Sequence, residues 1–279
     1  MIFQISRIRT VAAAFLLLLT TSASHAVVMD WTQAYASTAW TQGAASSTTT
    51  NSYNNDAANT GNDITIAIAS SAGVTWNAGY PKNVQANGTT VVGSDDASRL
   101  QMFVSTMTAS ANTISVTITF NYAAGVTNVS FPILDIDASG TGNRYTDRIA
   151  TINATPVVGS PNSVALTAVN VSNAVTTVAG SGTLGMSVTG VTSGGNIADH
   201  TGDVTFSTGA TAIKSITFTW NNPGGNGFQQ QIIALGNITY TPVPVPEIGS
   251  SLGALALCGG LAGVGRFRQR RPPGAAACV

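Results

Sequence analysis

Thr113-Ile-Ser-Val-Thr-Ile-Thr-Phe-Asn121 decides the fold class. Ile114, Val116, Ile118 and Phe120 alternate with Ser115, Thr117 and Thr119. A period of two places the apolar set on one face of a half-buried strand. Ile213 to Trp220 repeats the pattern, with Ile216, Phe218 and Trp220 inward and Thr217 and Thr219 outward. Working outward, the same reading applies to 64–70, 100–105, 126–137, 148–154, 163–170, 184–191, 204–207 and 232–240. Thr, Ser, Asn, Gly and Val dominate, a mixture poor for helices and suited to strands joined by turns. No segment carries a convincing amphipathic helix. The expected fold is all-β, an antiparallel β-sandwich. A jelly-roll-like version is preferred, because eight or more strands must hide their edges.

Residues 27–246 form a body large enough for one real core. Its five bases against ten acids, all Asp, leave a net charge of −5 that the neutral whole chain conceals. So acidic and base-poor a body argues against nucleic acid as a partner. Both cysteines, Cys258 and Cys278, lie outside it, which excludes disulfides, thiol catalysis and zinc–thiolate sites from the body. Within it, 27–63 is expected to be a lead-in. Trp31, Tyr35 and Trp40 dock as an N-terminal strand there, and Thr41 to Asp63 is a Ser/Thr/Asn-rich loop. The sandwich is expected over 64–240 and a stiff proline-rich spacer over 241–247.

Both flanks read as addresses. Arg7 and Arg9 precede the apolar run Val11 to Leu19, and Ser24-His-Ala26 is a small-x-small site, so 1–26 reads as a signal peptide cut after Ala26. At the other end Pro246-Glu247 precedes an uncharged run, Ile248 to Gly265. Its eighteen residues make roughly 27 Å of helix, enough to cross a hydrocarbon core. Arg266, Arg268, Arg270 and Arg271 close the run and hold that end in the cytoplasm. The segment 248–271 thus reads as a single transmembrane helix with its arginine cluster, followed by a tail, 272–279.

Val245 to Arg271 resembles the PEP-CTERM sorting signal of Gram-negative bacteria, with Ile248 where that family usually has Pro. The resemblance implies passage through the inner membrane, processing near Glu247 by an exosortase after signal peptidase has acted, and an extracellular or cell-surface destination. It also implies a link to exopolysaccharide and biofilm. An unprocessed membrane anchor is the alternative.

Three constellations bear on chemistry. Asp135-Ile-Asp137-Ala-Ser139-Gly140 opens like a calcium loop, with oxygen-bearing residues at alternate positions and then glycine. Asp135, Asp137, Ser139 and Asp147 are therefore candidate calcium ligands. The competing assignment is an Asp/Gly loop whose carboxylates accept backbone N–H groups or pair with Arg144 and Arg148. A change of parity at Ile133-Leu134, beside Pro132, predicts a bulge turning Asp135 and Asp137 outward. Asp-Ile-Asp segments followed by an Asp-Arg strand are similar to those in β-domains of exported bacterial surface proteins, a resemblance that covers Val129 to Ile149.

Trp76 and Tyr80 are the candidate carbohydrate platform, an exposed ring on which a sugar face would stack. His200, between Asp199 and Asp203, is the body's one histidine, and no nucleophile elbow accompanies it. With no Glu in the body, paired-carboxylate glycoside hydrolysis lacks its parts. The expectation is a non-enzymatic structural surface or matrix protein, with a calcium-dependent carbohydrate-binding module second and an extracellular hydrolase third.

Overall fold

The computed structural model describes residues 24–31, 40, 47–57, 59–84, 98–107, 111–139, 145–157, 163–170, 176–192, 201–224 and 230–245. Ser24–Val243 forms one compact unit. A second comprises Met1–Ala23 with Pro244–Val279, and only 244 and 245 of it are described. The described residues contain strands and no helix. Sixteen strands occur among them, beginning with β1 (Val27–Met29), β2 (Thr48–Tyr53), β3 (Ile64–Ser70), β4 (Val74–Trp76) and β5 (Lys82–Val84). Next come β6 (Arg99–Met107), β7 (Thr113–Phe120), β8 (Val126–Leu134), β9 (Arg148–Pro156), β10 (Thr167–Asn170) and β11 (Thr176–Ala179). The last are β12 (Ser187–Gly190), β13 (Val204–Ser207), β14 (Ile213–Asn221), β15 (Gln231–Leu235) and β16 (Ile238–Pro242).

Every pairing is antiparallel, and the network divides into two halves. One runs β2-β3-β7-β14-β9-β12-β11. In the other, β10 and β13 lie on one side of β8. On its other side β15 and β16 follow each other along β8, β15 carrying β6 with β4 and β5, and β16 carrying β1. A single register pair, Ile213↔Val126, hydrogen-bonds the halves together. This is an all-β antiparallel arrangement consistent with a β-sandwich.

The core follows from the alternation. Ile66, Ile118 and Ile216 form one cross-strand row, each fully buried. Phe131 of β8 stacks on Phe206 of β13 with ring centroids 5.6 Å apart and on Phe218 of β14 at 6.4 Å. The Phe131–Phe218 contact joins the two halves through the core. Burying side chains of this size stabilises by about 1.5–3 kcal/mol each, which lets a body without disulfides hold together.

Four expectations change. Thr41 to Asp63 is not one long loop: 48–53 is a strand in register with β3, and Tyr53 is buried. Its β-branched threonines pair in a sheet without needing a strongly apolar face. The first described strand is Val27–Met29, ahead of the expected one; Trp31 and Trp40 are both buried, and 32–39, Tyr35 included, lie outside the described residues. The segment 232–240 breaks at Gly236-Asn237, where Trp31 donates its indole N–H to Gly236 O at 2.8 Å and its backbone N–H to Asn237 Oδ1 at 3.1 Å. Gly236 suits that break, since a Cβ there would lie 2.6 Å from Pro132 Cγ. Finally, Thr241 and Pro242 belong to β16, so the strand runs into the expected spacer. Residues 248–271 lie outside the described residues. Among the described ones no helix is long and apolar enough to cross a membrane.

Candidate functional site

The 135–147 loop begins where β8 stops at Leu134. Asp135 has φ +66°, a left-handed conformation that Asp tolerates better than most residues, and it turns the chain out of the sheet. Two contacts hold the turn: Asp135 N–H donates to Asp203 Oδ1 at 3.1 Å, and Ile136 N–H donates to Gly202 O at 3.0 Å. The loop then closes on itself. Asp147 N–H donates to Asp137 O at 2.8 Å and Ser139 N–H to Tyr145 O at 3.0 Å. Tyr145 N–H returns to Ser139 Oγ at 3.3 Å.

Asp147 is the centre of this clasp. It is 1% exposed, and its Oδ1 accepts the Trp220 indole N–H at 2.9 Å. Its Oδ2 lies 3.5 Å from Asp137 N, at the limit of a hydrogen bond. Its backbone O accepts from Gly190 N at 2.9 Å. Gly190 is required by close approach, because a Cβ there would meet Asp137 O at 2.1 Å. Burial pushes the Asp147 carboxyl well above the usual carboxylate range, and the neighbouring Asp137 charge pushes it further. The Trp220 bond opposes the shift without cancelling it. Tyr145 is raised for the same reasons, burial first and then the charges of Asp137 and Asp147.

This arrangement does not fit the calcium assignment. Asp147 is turned into the core and occupied by Trp220, and the hydroxyl of Ser139 accepts a loop N–H. Asp137 is 6% exposed rather than turned outward, whereas Asp135 is partly exposed, so the expected outward turn is corrected for Asp137 alone. Among the described residues no group of three or more His, Cys, Asp or Glu is arranged to hold a metal ion. The competing assignment is observed at Asp147, whose carboxylate accepts N–H groups from Trp220 and Asp137.

The carbohydrate platform is corrected as well. Trp76 is 5% exposed and Tyr80 9%, both within the core cluster. The Trp76 indole N–H reaches Ser70 Oγ at 3.4 Å, and Tyr80 packs edge-on against Phe103 with centroids 5.2 Å apart. β4 pairs with β6 and directs Trp76 inward, so neither ring offers an open face to a sugar. Ala26 is exposed immediately before β1. Arg144, Asp199, His200, Pro246, Glu247, Arg266, Arg268, Arg270 and Arg271 lie outside the described residues.

Sequence reasoning missed two participants. Asn222, fully buried, accepts from Thr146 N at 2.9 Å and donates to Met107 O at 2.9 Å, tying the clasp to β6. Asp63, also fully buried, accepts the backbone N–H groups of Asn55 and Asp56 at 2.5 Å each and the Asn59 amide at 2.6 Å. Both residues sit just beyond a strand end, where such polar side chains close turns, which is the only signal they gave.

No family model matches the chain, and no curated protein matches it. Among solved structures it is similar to the family 11 carbohydrate-binding module from Clostridium thermocellum in complex with a β-1,3-1,4-mixed-linked tetrasaccharide. The likeness covers 79% of this chain and 96% of that one at 11% identity, with a TM-score of 0.29, a level that carries no argument about ligand or site.

Proposed function

We propose that the protein is exported, trimmed at both ends and retained at the cell surface or in the extracellular matrix as a non-enzymatic structural domain linked to exopolysaccharide. Signal peptidase would act after Ala26 and an exosortase near Glu247, with the inner membrane as a way-station for the 248–271 helix. The observation that carries this reading is the pairing of the two ends of the body. β1 begins at Val27, one residue after the expected cut, and pairs with β16, Val27 opposite Tyr240. Cutting on either side would leave this closing pair intact, and both addresses lie outside it. The Ser24–Ala26 stretch before it is exposed, as a protease substrate must be.

The use of carboxylates supports a non-catalytic role. Asp63, Asp147 and Asp203 are buried and accept hydrogen bonds that fix turns and loops. A general acid or base must reach a substrate proton, and buried acceptors of this kind do not. The strand order β6-β15-β8-β13 in one half and β7-β14-β9-β12 in the other, with the chain alternating between them, supports the jelly-roll version of the sandwich.

Intact mass of the extracellular form tests the proposal. The expected mass corresponds to a chain that starts at Val27 and lacks everything from Ile248 onward. A surface form that retains the arginine cluster would overturn the processing.

A further inference from the structure

The face of the β2-β3-β7-β14-β9 half turned away from the core is dominated by hydroxyls. The register lines up Ser52, Thr65, Thr119, Ser215 and Thr155 in one row across five strands. The next row is Thr50, Ala67, Thr117, Thr217 and Asn153. A third runs Thr48, Ala69, Ser115, Thr219 and Ala150. Every one of these side chains is partly or fully exposed, whereas the alternate positions on β3, β7 and β14 are core.

Neighbouring hydroxyls touch along the rows. Ser52 and Thr65 are 2.9 Å apart and Thr117 and Thr217 3.2 Å apart, in pairs where either oxygen can donate. Charge is confined to the margin. The register brings Arg148 to the end of this face, opposite Asn221. Lys214 is turned to the carbonyl oxygens of Tyr122 and Ala123. Exposed sheets ordinarily carry interspersed charges, so so large a neutral stretch singles out a neutral partner.

We propose that this face binds neutral polysaccharide. The inference deepens the matrix role proposed above and rests on it for where the binding takes place. Each hydroxyl both donates and accepts, as sugar hydroxyls do, so the two surfaces match without a charge being desolvated. Five strands cover about 24 Å, and three rows extend about 20 Å along them, roughly 480 Å² in all. A standard protein interface needs about 800 Å² from each partner, so a second copy of the chain is the poorer occupant. The rows carry no aromatic ring on which a sugar could stack. Single contacts are therefore weak, and affinity comes from many sugars of one chain engaging the grid together.

The dependence on chain length is the test. The purified protein, as recovered from the producing cell, is run in affinity electrophoresis against dextran fractions of increasing length and a soluble neutral β-glucan, with alginate as the acidic control. The expected result is retention by at least one neutral polymer, strengthening by roughly a hundredfold or more from short oligomers to long chains, with alginate ineffective. The variant Thr117→Val/Thr217→Val keeps β-branched shape and removes hydroxyls, and should lose several-fold in retention at unchanged melting temperature. Thr117→Glu/Thr217→Glu should abolish retention, and Val169→Glu, on β10 of the other half, should not change it. Equal retention of wild type and the valine variant, or no retention by any neutral polymer, would overturn the proposal. So would self-association in sedimentation that the glutamate variant removes. A protein that keeps its arginine cluster yet binds through this face would fail the processing proposal and leave this one standing.

Discussion

Trp220 donates its indole N–H to Asp147 Oδ1 at 2.9 Å, with both side chains buried in the core. The bond joins the inward face of β14 to the clasp that closes the 135–147 loop. It also explains why an Asp in a sequence that reads like a calcium loop is unsuited to holding calcium.

The first prediction concerns pH. Asp147 is raised above the usual carboxylate range by burial and by Asp137, so the folded state holds its proton more tightly than the unfolded chain. The stability this confers is fully present below the unfolded value of about 3.9 and is lost as pH rises through the folded value. The Asp147 contribution should lower the wild-type melting temperature as pH rises from 4. Asp147→Asn keeps an acceptor for Trp220 without a charge and should remove that component of the slope. Parallel profiles for the two proteins would refute the assignment.

The second prediction is Gly190→Ala. The added methyl would lie 2.1 Å from Asp137 O, against backbone that cannot swing aside as a flexible side chain can. Overpacking of this kind costs about 1–3 kcal/mol, and denaturant unfolding should show a lower midpoint with little change in slope.

Strand alternation made the core legible in advance: Ile114 to Phe120 and Ile216 to Trp220 are buried at every second position. The same signal failed at 48–53, because Thr-Thr-Thr-Asn-Ser has no apolar parity and its pairing with β3 is a tertiary fact. Short strands such as Val74–Trp76 escaped because three residues carry no measurable period. At the candidate site the Asp spacing correctly marked a special loop. Its chemistry was not legible, since whether Asp147 faces solvent or Trp220 depends on a residue 73 positions away. Trp76 failed in the opposite direction: turn-rich neighbours suggested exposure, and pairing with β6 buried it.

Asp63→Ala is the third prediction. Removing the carboxylate leaves the backbone N–H groups of Asn55 and Asp56 without the acceptor that each now has at 2.5 Å. Lost bonds to a charged group cost about 1.5–3 kcal/mol each, partly recovered by water entering the turn. Hydrogen exchange should show the loss first at the β2–β3 connection, ahead of β14. Uniform acceleration across the domain would argue against a local role.

The last prediction separates packing from recognition at Trp76. With 5% of its surface exposed and Val74, on the same face, also buried, Trp76→Ala removes a large side chain from the core. Truncations of this size cost about 3–5 kcal/mol, a large fraction of the stability of an ordinary domain. The melting temperature should therefore drop sharply, while polysaccharide retention per folded molecule stays at the wild-type level. Trp76→Phe retains most of the volume and loses only the long 3.4 Å contact to Ser70, so it should recover most of the lost stability. Scored together, the two variants discriminate cleanly, because a sugar platform would lose binding in Trp76→Ala at unchanged stability. That outcome would return the ring to the surface and move the polysaccharide site away from the threonine grid.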